Sequence, residues 1–346
     1  MSNNKLSLQL NVDDFLPASD EEKESLTVLR KIVGFWQDGI RRLKKNKIAM
    51  VSLVVIVFVF IFSFLVPQFY PYSYEQQIRG SENLAPMQYS EKELEAKAAG
   101  ESVFPHVLGT DNLGRDYAVR VMMGSRVSLT VGLVASAIIL LIGSLYGSIA
   151  GFFGGWVDMI MMRIVDMIYT VPDILIIVLL SVAFDQPLKA LAQKPGFEWI
   201  QVIGVNLISI FVVFALLYWV GMARIVRSQI LILKEQEYVT AARALGASNG
   251  RIIRKHLLTN CIGTLIVTTT LQIPSSIFTE SFLSFLGLGV AAPMPSLGSL
   301  ASAALNGLQS YPHRLFAPAL AISIIILSFN LLGDGLRDAF DPKLKD

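Results

Sequence analysis

The sequence predicts an all-α membrane protein with six transmembrane helices. Hydrophobic residues make up 53% of the chain and charged residues only 16%, and the mean hydropathy is +0.56, which excludes an ordinary soluble domain. The apolar residues are concentrated in runs of about 20, the helix length that crosses a hydrocarbon core about 30 Å thick. Buried helices of soluble proteins seldom reach this length without a charge. The six runs are Ile48–Val66, Val127–Gly147, Ile164–Phe184, Ile200–Met222, Cys261–Leu283 and Leu315–Leu332.

Charge on either side of these runs predicts their orientation. Residues 41–47 contain five basic residues, and residues 223–260 contain seven Lys or Arg against two acids. Residues 67–125 carry eight acids against five bases. Since Lys and Arg collect on the cytoplasmic side, both termini are expected inside the cell. The predicted regions are a cytoplasmic tail (1–47), the first span (48–66), an external segment (67–125), a membrane core (126–334) containing a cytoplasmic loop (223–260), and a cytoplasmic tail (335–346).

The segments outside the membrane show weaker patterns. Residues 1–24 are polar and acidic and are expected to be disordered. The first apolar run lies too far from the start to be a cleaved signal peptide. In the external segment, expected to be a solvated cap over the outer mouth, Glu93 and Lys97 have the spacing of a helical ion pair. An amphipathic helix on the inner leaflet, or alternatively a partner-binding helix, is predicted by the spacing of Leu26, Leu29, Val33, Trp36, Ile40 and Leu43.

Three features within the spans predict local geometry. Glycines at steps of four put small residues on one helix face and predict a close helix contact. They are Gly143, Gly147 and Gly151. Pro172 is expected to kink the third span or to end its first part, because proline lacks a backbone N–H. Arg163 and Asp166 are expected to pair at the inner end of that helix.

Glu280 follows a long apolar run, where a charge costs about 2–3 kcal/mol on insertion scales. Such a residue usually faces a bundle interior or a water-filled path, so Glu280 is a candidate pathway residue. Alternatively it meets solvent at the outer interface. Replacement by Leu is expected to remove an insertion penalty and to leave assembly intact.

The sequence carries few signs of chemistry. The chain has no GxxxxGK[ST] phosphate-binding loop and no HExxH motif, so no enzymatic activity and no cofactor is predicted. Its single cysteine, Cys261, excludes an internal disulfide. His106 lies near acidic residues 111 and 116, but a metal site needs converging ligands, and no metal is predicted. These charges are expected to order the entry to the second span. No basic cluster with interleaved aromatics indicates nucleic-acid binding.

Residues 237–260 are polar, basic and helix-prone between two apolar runs. Residues 237–245 lack Gly and Pro, "GASNG" at 246–250 favours a turn, and a second helix is predicted from Arg251. Such a helix–turn–helix is too polar to insert and is expected to offer a knob to a partner outside the membrane. The alternative is an ordinary loop with a basic face.

This stretch, "YVTAARALGASNGRIIRKHLLTN", resembles the cytoplasmic EAA loop of ABC-importer permeases, which docks on an ATP-binding subunit. Ala241, Ala242, Gly246 and Leu258 match that pattern. Two positions depart from it. Thr240 replaces the usual Glu, whose acidic contact is expected either to be lost or to be supplied by Glu237. Thr259 replaces the usual Pro.

Three further stretches are similar to the C-type permease of the oligopeptide/dipeptide/nickel branch. They are "HVLGTDNLGRDYAVRVMMGSRVSL", "ESFLSFLGLGVAAPMPSLGSL" and "LLGDGLRDAFDPKL". The resemblance implies a type I ABC-importer permease fold in a bacterial inner membrane. It also implies a heterodimer with a B-type permease, two ATP-binding subunits, an external peptide-binding protein and a peptide substrate.

An ATP-driven peptide importer subunit working by alternating access is therefore the expected function. Nickel or another small solute is the alternative cargo, disfavoured because the path lacks His and Cys ligands. A stand-alone secondary transporter would need coupling-ion residues at mid-membrane and often inverted repeats, and neither is evident. A membrane enzyme is disfavoured by the missing catalytic motifs.

Overall fold

A computed structural model describes residues 34–170, 172–290 and 292–340. Within these ranges the regular structure is helical, apart from one isolated bridge between Thr110 and Asp116. The all-α prediction is confirmed. The expectations for residues 1–24, for the first part of the amphipathic helix and for residues 341–346 lie outside the described residues.

Fifteen labelled helices follow one another in the described part of the chain, and a π-helical segment, Ile252–Leu257, lies between α11 and α12. The helices are α1 (Phe35–Lys45), α2 (Lys47–Phe69), α3 (Glu91–Ala98), α4 (Tyr117–Phe153), α5 (Gly155–Tyr169), α6 (Asp173–Ala192), α7 (Trp199–Ile203), α8 (Val205–Leu217), α9 (Trp219–Leu233), α10 (Glu237–Ala244), α11 (Asn249–Arg251), α12 (Leu258–Asn260), α13 (Ile262–Phe285), α14 (Leu297–Ala304) and α15 (His313–Phe340).

Six segments of the described residues are long and apolar enough to cross a membrane. They are α2, α4, most of α6, the consecutive pair α8 and α9, α13 and α15. This number agrees with the sequence prediction. The second span begins ten residues before its apolar run, because the Asp116 side chain accepts a hydrogen bond from the Val119 N–H (3.0 Å) and caps α4 at Tyr117.

The third and fourth apolar runs are not continuous helices, which corrects their predicted bounds. The run starting at Ile164 is divided, because α5 ends at Tyr169 and Pro172 stands before α6. Of the two outcomes expected for Pro172, the structure shows the end of a helix. The run starting at Ile200 is broken at Gly204, whose φ of 100° ends α7, and it continues through α9 well beyond Met222.

The predicted glycine contact is confirmed, and its partner is α9. A Cβ added at Gly143 would lie 2.6 Å from the Cβ of Met222, and one at Gly151 would lie 2.9 Å from the Arg227 carbonyl oxygen. A Cβ at Gly147 would collide with the backbone of Ala223. Because none of these glycines leaves room for a side chain, the backbones of α4 and α9 touch along this seam.

The expected pair of Arg163 and Asp166 is wrong. A carboxylate oxygen of Asp166 instead accepts a hydrogen bond from Arg224 on α9 at 2.8 Å, and the Arg224 guanidinium lies 4.4 Å from the centre of the Tyr169 ring. An arginine on a neighbouring helix outcompetes one on the same helix because it approaches the carboxylate and an aromatic face together.

The first and last described helices pack together. Gly39 of α1 lies under the ring of Phe340, the final residue of α15, and the Phe35 ring centroid is 5.2 Å from that of Phe340. The partly exposed side chains of Trp36 and Ile40 remain on the apolar side of α1, as the amphipathic pattern predicts.

Candidate functional site

The polar stretch after α9 forms the predicted helix–turn–helix, which we call the knob (residues 237–260). Helix α10 ends at Ala244, and Gly246, two residues beyond it, has the left-handed conformation with φ at 78°. The N–H of Ala247 donates to the carbonyl of Ala242 (3.0 Å), and that of Gly246 donates to Arg243 (2.9 Å). This pair of bonds is a Schellman cap. No atom lies within 4 Å of a Cβ built at Gly246, so the turn needs glycine for its backbone angle and not for space.

One side of the knob is buried in its own chain. Ala242 is 7% exposed and packs in the main hydrophobic core with Val239, Ile252 and Leu257. Leu258 packs against the same cluster. The small side chain of Ala242 therefore faces the core of its own chain. Its size is set by the packing of α10 on the π-helical segment.

The opposite side of the knob faces outward. Glu237, Thr240 and Ala241 are exposed, as is the turn at Gly246. Leu245 was missed by the sequence argument, yet its side chain is 88% exposed at the tip. The sequence does indicate this exposure, because an apolar residue at a helix end beside a glycine turn has no neighbour on its own helix to cover it.

Charged side chains tie the knob and α9 to the neighbouring helices. The Lys234 ammonium donates to the carbonyl of Gly151 at 3.0 Å, and the Arg243 guanidinium lies 5.3 Å from the centre of the Phe152 ring. Arg227 binds the carboxylate of Asp158 on α5 through two nitrogens at 2.5 Å. These hydrogen bonds from Arg227 lower the pKa of Asp158, which therefore stays ionised. These contacts connect α9, Lys234 and the knob to α4 and α5.

Glu280 lies inside the helix bundle, fully buried. Its carboxylate accepts hydrogen bonds from the hydroxyls of Ser128 on α4 (2.7 Å), Ser284 (2.7 Å) and Ser281 (3.3 Å). The interpretation that Glu280 meets solvent is wrong for this conformation, since three hydroxyls replace water around it. Contact with cargo stays a prediction.

The external segment is organised around His106, which is fully buried. Its Nδ1 lies 2.8 Å from Asp116 and its Nε2 lies 3.0 Å from Glu93, while its ring stacks on Tyr72 at 4.5 Å. Of the two acids near His106 in the sequence, Asp116 contacts its ring, whereas Asp111 binds Arg115, and the second contact comes from Glu93. No group of three or more His, Cys, Asp or Glu side chains in the described ranges is arranged to hold a metal ion.

The expected ion pair of Glu93 with Lys97 is also wrong. Glu93 accepts a hydrogen bond from the backbone N–H of Ser90 (2.7 Å) as part of a capping box, in addition to its bond with His106. The Lys97 ammonium lies over the Tyr89 ring, 4.5 Å from its centre. The expected ordering of the entry to the second span is confirmed, since Asp116 caps α4 and Asp111 binds Arg115 at 2.7 Å.

Comparison of the sequence with known protein families finds two matches. Residues 143–346 match the family described as "Binding-protein-dependent transport system inner membrane component", and residues 34–86 match "N-terminal TM domain of oligopeptide transport permease C". The chain belongs to this family of transport-system membrane components. The family match covers the knob and Glu280, whereas the external segment lies largely outside both matched ranges.

Similar proteins agree over nearly the whole chain. The oligopeptide transport system permease protein OppC of Bacillus subtilis is 40% identical over 331 residues, covering 96% of this chain and 97% of the relative. The dipeptide transport system permease protein DppC of the same organism is 42% identical, covering 96% and 93%. The glutathione transport system permease protein GsiD of Pectobacterium atrosepticum is 33% identical, covering 90% and 92%.

The serine shell around Glu280 predicts different effects for two substitutions. Glu280→Gln retains shape and hydrogen bonding, so the protein should fold with little loss of stability. Glu280→Leu leaves the serine hydroxyls without their acceptor and should lower the free energy of unfolding by about 1–3 kcal/mol, contrary to the expectation from insertion cost alone. Thermal unfolding of the purified variants measures this. A Leu variant as stable as the parent would show that the serines simply turn to backbone carbonyls.

The environment of His106 predicts that the external segment is more stable in acid than in base. Burial, the largest effect, lowers the pKa of His106, but the hydrogen bonds and charges of Asp116 and Glu93 together outweigh it, so the pKa is raised. A raised pKa stabilises the fold fully below the unfolded value of about 6.5, and this stabilisation is lost as pH rises through the folded value. Burial raises the pKa of Tyr72 to about 12, so that neighbour does not titrate in this window.

We therefore expect residues 70–116 to exchange amide hydrogens more slowly, relative to the intrinsic rate, at about pH 6 than at about pH 8.5. His106→Gln should abolish this difference, and His256→Gln, in the knob, should retain it. Hydrogen exchange followed by mass spectrometry is the measurement. A pH difference that survives His106→Gln would assign it to another group.

Proposed function

We propose that this chain is the C-type transmembrane subunit of an ATP-driven peptide importer. The observation that carries the proposal is the near full-length similarity to oligopeptide and dipeptide permeases, combined with an exposed knob in the position of a coupling loop. In this proposal the chain pairs with a B-type permease, and an external protein delivers the peptide. Two ATP-binding subunits supply hydrolysis, because this sequence has no phosphate-binding loop of its own.

The proposed site for the ATP-binding subunit is the outward side of the knob. Leu245 at the tip is the apolar anchor, with Ala241 and Glu237 beside it on α10. Residues that sit in a fully desolvated pocket of the partner contribute most to an interface. Gly246 sets the angle of the tip, and Ala242 holds α10 onto the core from beneath.

The mechanism that fits this arrangement is alternating access driven from the knob. When the ATP-binding subunits close, they move the knob. The Arg243–Phe152 contact, the Lys234–Gly151 bond just before the knob and the Arg227–Asp158 pair transmit that movement to α4 and α5. Helix α4 also carries Ser128, so its displacement relative to α13 changes the surroundings of Glu280. Glu280 becomes hydrated in the state that is open to the outside, where it contacts the peptide or an adjacent helix.

The proposed orientation places both termini and the knob in the cytoplasm and the external segment outside. Basic residues around the knob and before α2 support it. The inner membrane of a bacterium is the proposed location, since the similar proteins are bacterial permeases.

The identity of the cargo is tested by the growth of a strain that lacks the gene. A strain lacking the gene should fail to grow when a defined di- or oligopeptide is the only source of a required amino acid, and the parent gene should restore growth. Growth on glutathione is tested as well, because one similar protein is named a glutathione transport system permease. Normal growth of the deletion strain on every peptide, with lost uptake of nickel, would replace peptide by metal as the cargo.

The knob predicts that Leu245→Asp uncouples the chain from its ATP-binding partner. A charge at the apolar tip opposes desolvation, so association should weaken by at least about tenfold. Co-purification and peptide-stimulated ATP hydrolysis are the measurements. Leu94→Asp is the matched control, because Leu94 is 52% exposed on the external helix α3. Equal loss in both variants would indicate damage to the fold instead of the interface.

The orientation predicts the pattern of cysteine labelling in intact cells. After Cys261 is replaced by Ser, a cysteine at position 91 should react with an impermeant reagent from outside. A cysteine at position 250, in the knob, should react only after the cells are permeabilised. Labelling of position 250 in intact cells would reverse the arrangement and would place the knob away from any ATP-binding subunit.

A further inference from the structure

A cavity of about 280 Å³ lies where the external segment meets the helix bundle. Its walls come from the external segment, the start of α4, α14 with the turn after it, and the start of α15. Neither the knob nor Glu280 contributes to it. The lining residues that matter most are Asp111, Arg115, Arg120, Leu300, Ala303 and Arg314.

The lining carries three guanidinium groups against one carboxylate. That carboxylate, Asp111, is already engaged. Its Oδ1 accepts from the backbone N–H groups of Leu113 (2.8 Å) and Arg115 (3.0 Å), and its Oδ2 accepts from the Arg115 Nε at 2.7 Å. Asp111 therefore cannot neutralise the other two arginines, and the cavity has an excess of positive charge.

Both remaining arginines are more than nine-tenths buried. Arg120 is 8% exposed and Arg314 is 7% exposed. Arg314 is held in place by hydrogen bonds from Nη2 to the Asn83 side chain (2.9 Å) and to the Thr110 carbonyl (2.7 Å), and its guanidinium lies 4.2 Å from the centre of the Tyr311 ring. Its position is thus fixed by contacts with three other residues.

Each of these two arginines keeps an unsatisfied donor. Among the described residues, neither the Nε of Arg120 nor that of Arg314 has a hydrogen-bond partner. The Arg120 Nε lies 3.5 Å from Asp111, close enough for charge attraction but too poorly aligned for a hydrogen bond. Both Nε atoms are covered by protein, so it is the excess of guanidinium charge in the lining that favours an incoming anion.

We propose that this cavity is a binding site for a carboxylate group presented from the outer side of the membrane by a polypeptide. The planar guanidinium donors of Arg120 and Arg314 suit the planar carboxylate. Leu300 and Ala303 supply apolar surface for one or two methylene groups. The volume admits the end of a side chain or of a peptide and excludes a whole oligopeptide. The proposal rests on the proposed function only for the side of the membrane on which the cavity opens.

Two sources present such a carboxylate, an acidic side chain of a docked protein and the C-terminus of a peptide. Two probes separate them. N-acetylglutamic acid α-amide carries only the side-chain carboxylate, and N-acetylalanine carries only the terminal one. Each is titrated by calorimetry, in chloride-free buffer, into the full-length chain purified with the subunits that accompany it. Inorganic phosphate is the third probe and represents a lipid headgroup.

We expect saturable binding of at least one carboxylate probe, and the tighter of the two assigns the source. Arg314→Gln should weaken that binding by at least about tenfold. Arg79→Gln, which removes an exposed arginine of the external segment outside the cavity, should leave it unchanged. Binding that is equal in the parent and in Arg314→Gln, or phosphate bound more tightly than both carboxylates, would overturn the proposal.

A second variant distinguishes loss of the binding site from misfolding, which Arg314→Gln could cause because Arg314 also holds the walls of the cavity together. Ala303→Glu leaves every arginine in place and tethers a carboxylate at the cavity wall. It should abolish probe binding without lowering the thermal unfolding temperature, whereas Ala303→Gln should weaken binding less. Undiminished binding in Ala303→Glu would contradict the proposal. Because no transport is measured, a failure here leaves the peptide-import proposal untouched, and normal growth of the deletion strain on peptides leaves these titrations untouched.

Discussion

The contact between the backbones of α4 and α9 is the constraint on which the rest of this structure depends. Three glycines in register remove every side chain from one face of α4, so α9 approaches to contact distance. Helix α4 is 37 residues long and continues from the external segment to the opposite end of the bundle. Along its length it supplies Arg120 to the cavity, Ser128 to the hydroxyls around Glu280, and Phe152 to the contact with Arg243 of the knob. One rigid element therefore touches the cavity, Glu280 and the knob.

Buried ionisable side chains have different surroundings in three parts of this structure. In the middle of the bundle, Glu280 is surrounded by hydroxyls and no cation. In the external segment, His106 is held between two carboxylates. In the cavity, the arginines, Arg120 and Arg314 among them, outnumber the carboxylates. The first two arrangements are locally complete, and only the third has an excess of positive charge, which is why it is the one interpreted as a binding site.

Sequence patterns predicted the features that depend on spacing along one helix. The apolar runs gave the number of spans, the steps of four gave the glycine contact, and Gly246 gave the turn of the knob. The patterns failed where the deciding partner lies on another element. Asp166 pairs with Arg224, 58 positions away, instead of its neighbour on α5. Ala242 matched a family pattern, but nothing in the sequence showed that α10 turns it toward the core. The sequence does not decide whether Glu280 lies in the bundle interior or at the outer interface, because one hydroxyl that surrounds it belongs to Ser128, 152 positions earlier.

The packing of α1 against the end of α15 has a consequence for biosynthesis. Phe35 and Gly39 are among the first described residues to leave the ribosome, yet the ring that covers them belongs to Phe340. Until α15 has been made, Gly39 lacks the ring that covers it, and the only earlier neighbour described for Phe35 beyond α2 is Gly263 of α13. Completion of this contact is therefore a late step of folding, and a chain truncated before Phe340 leaves Gly39 of α1 uncovered.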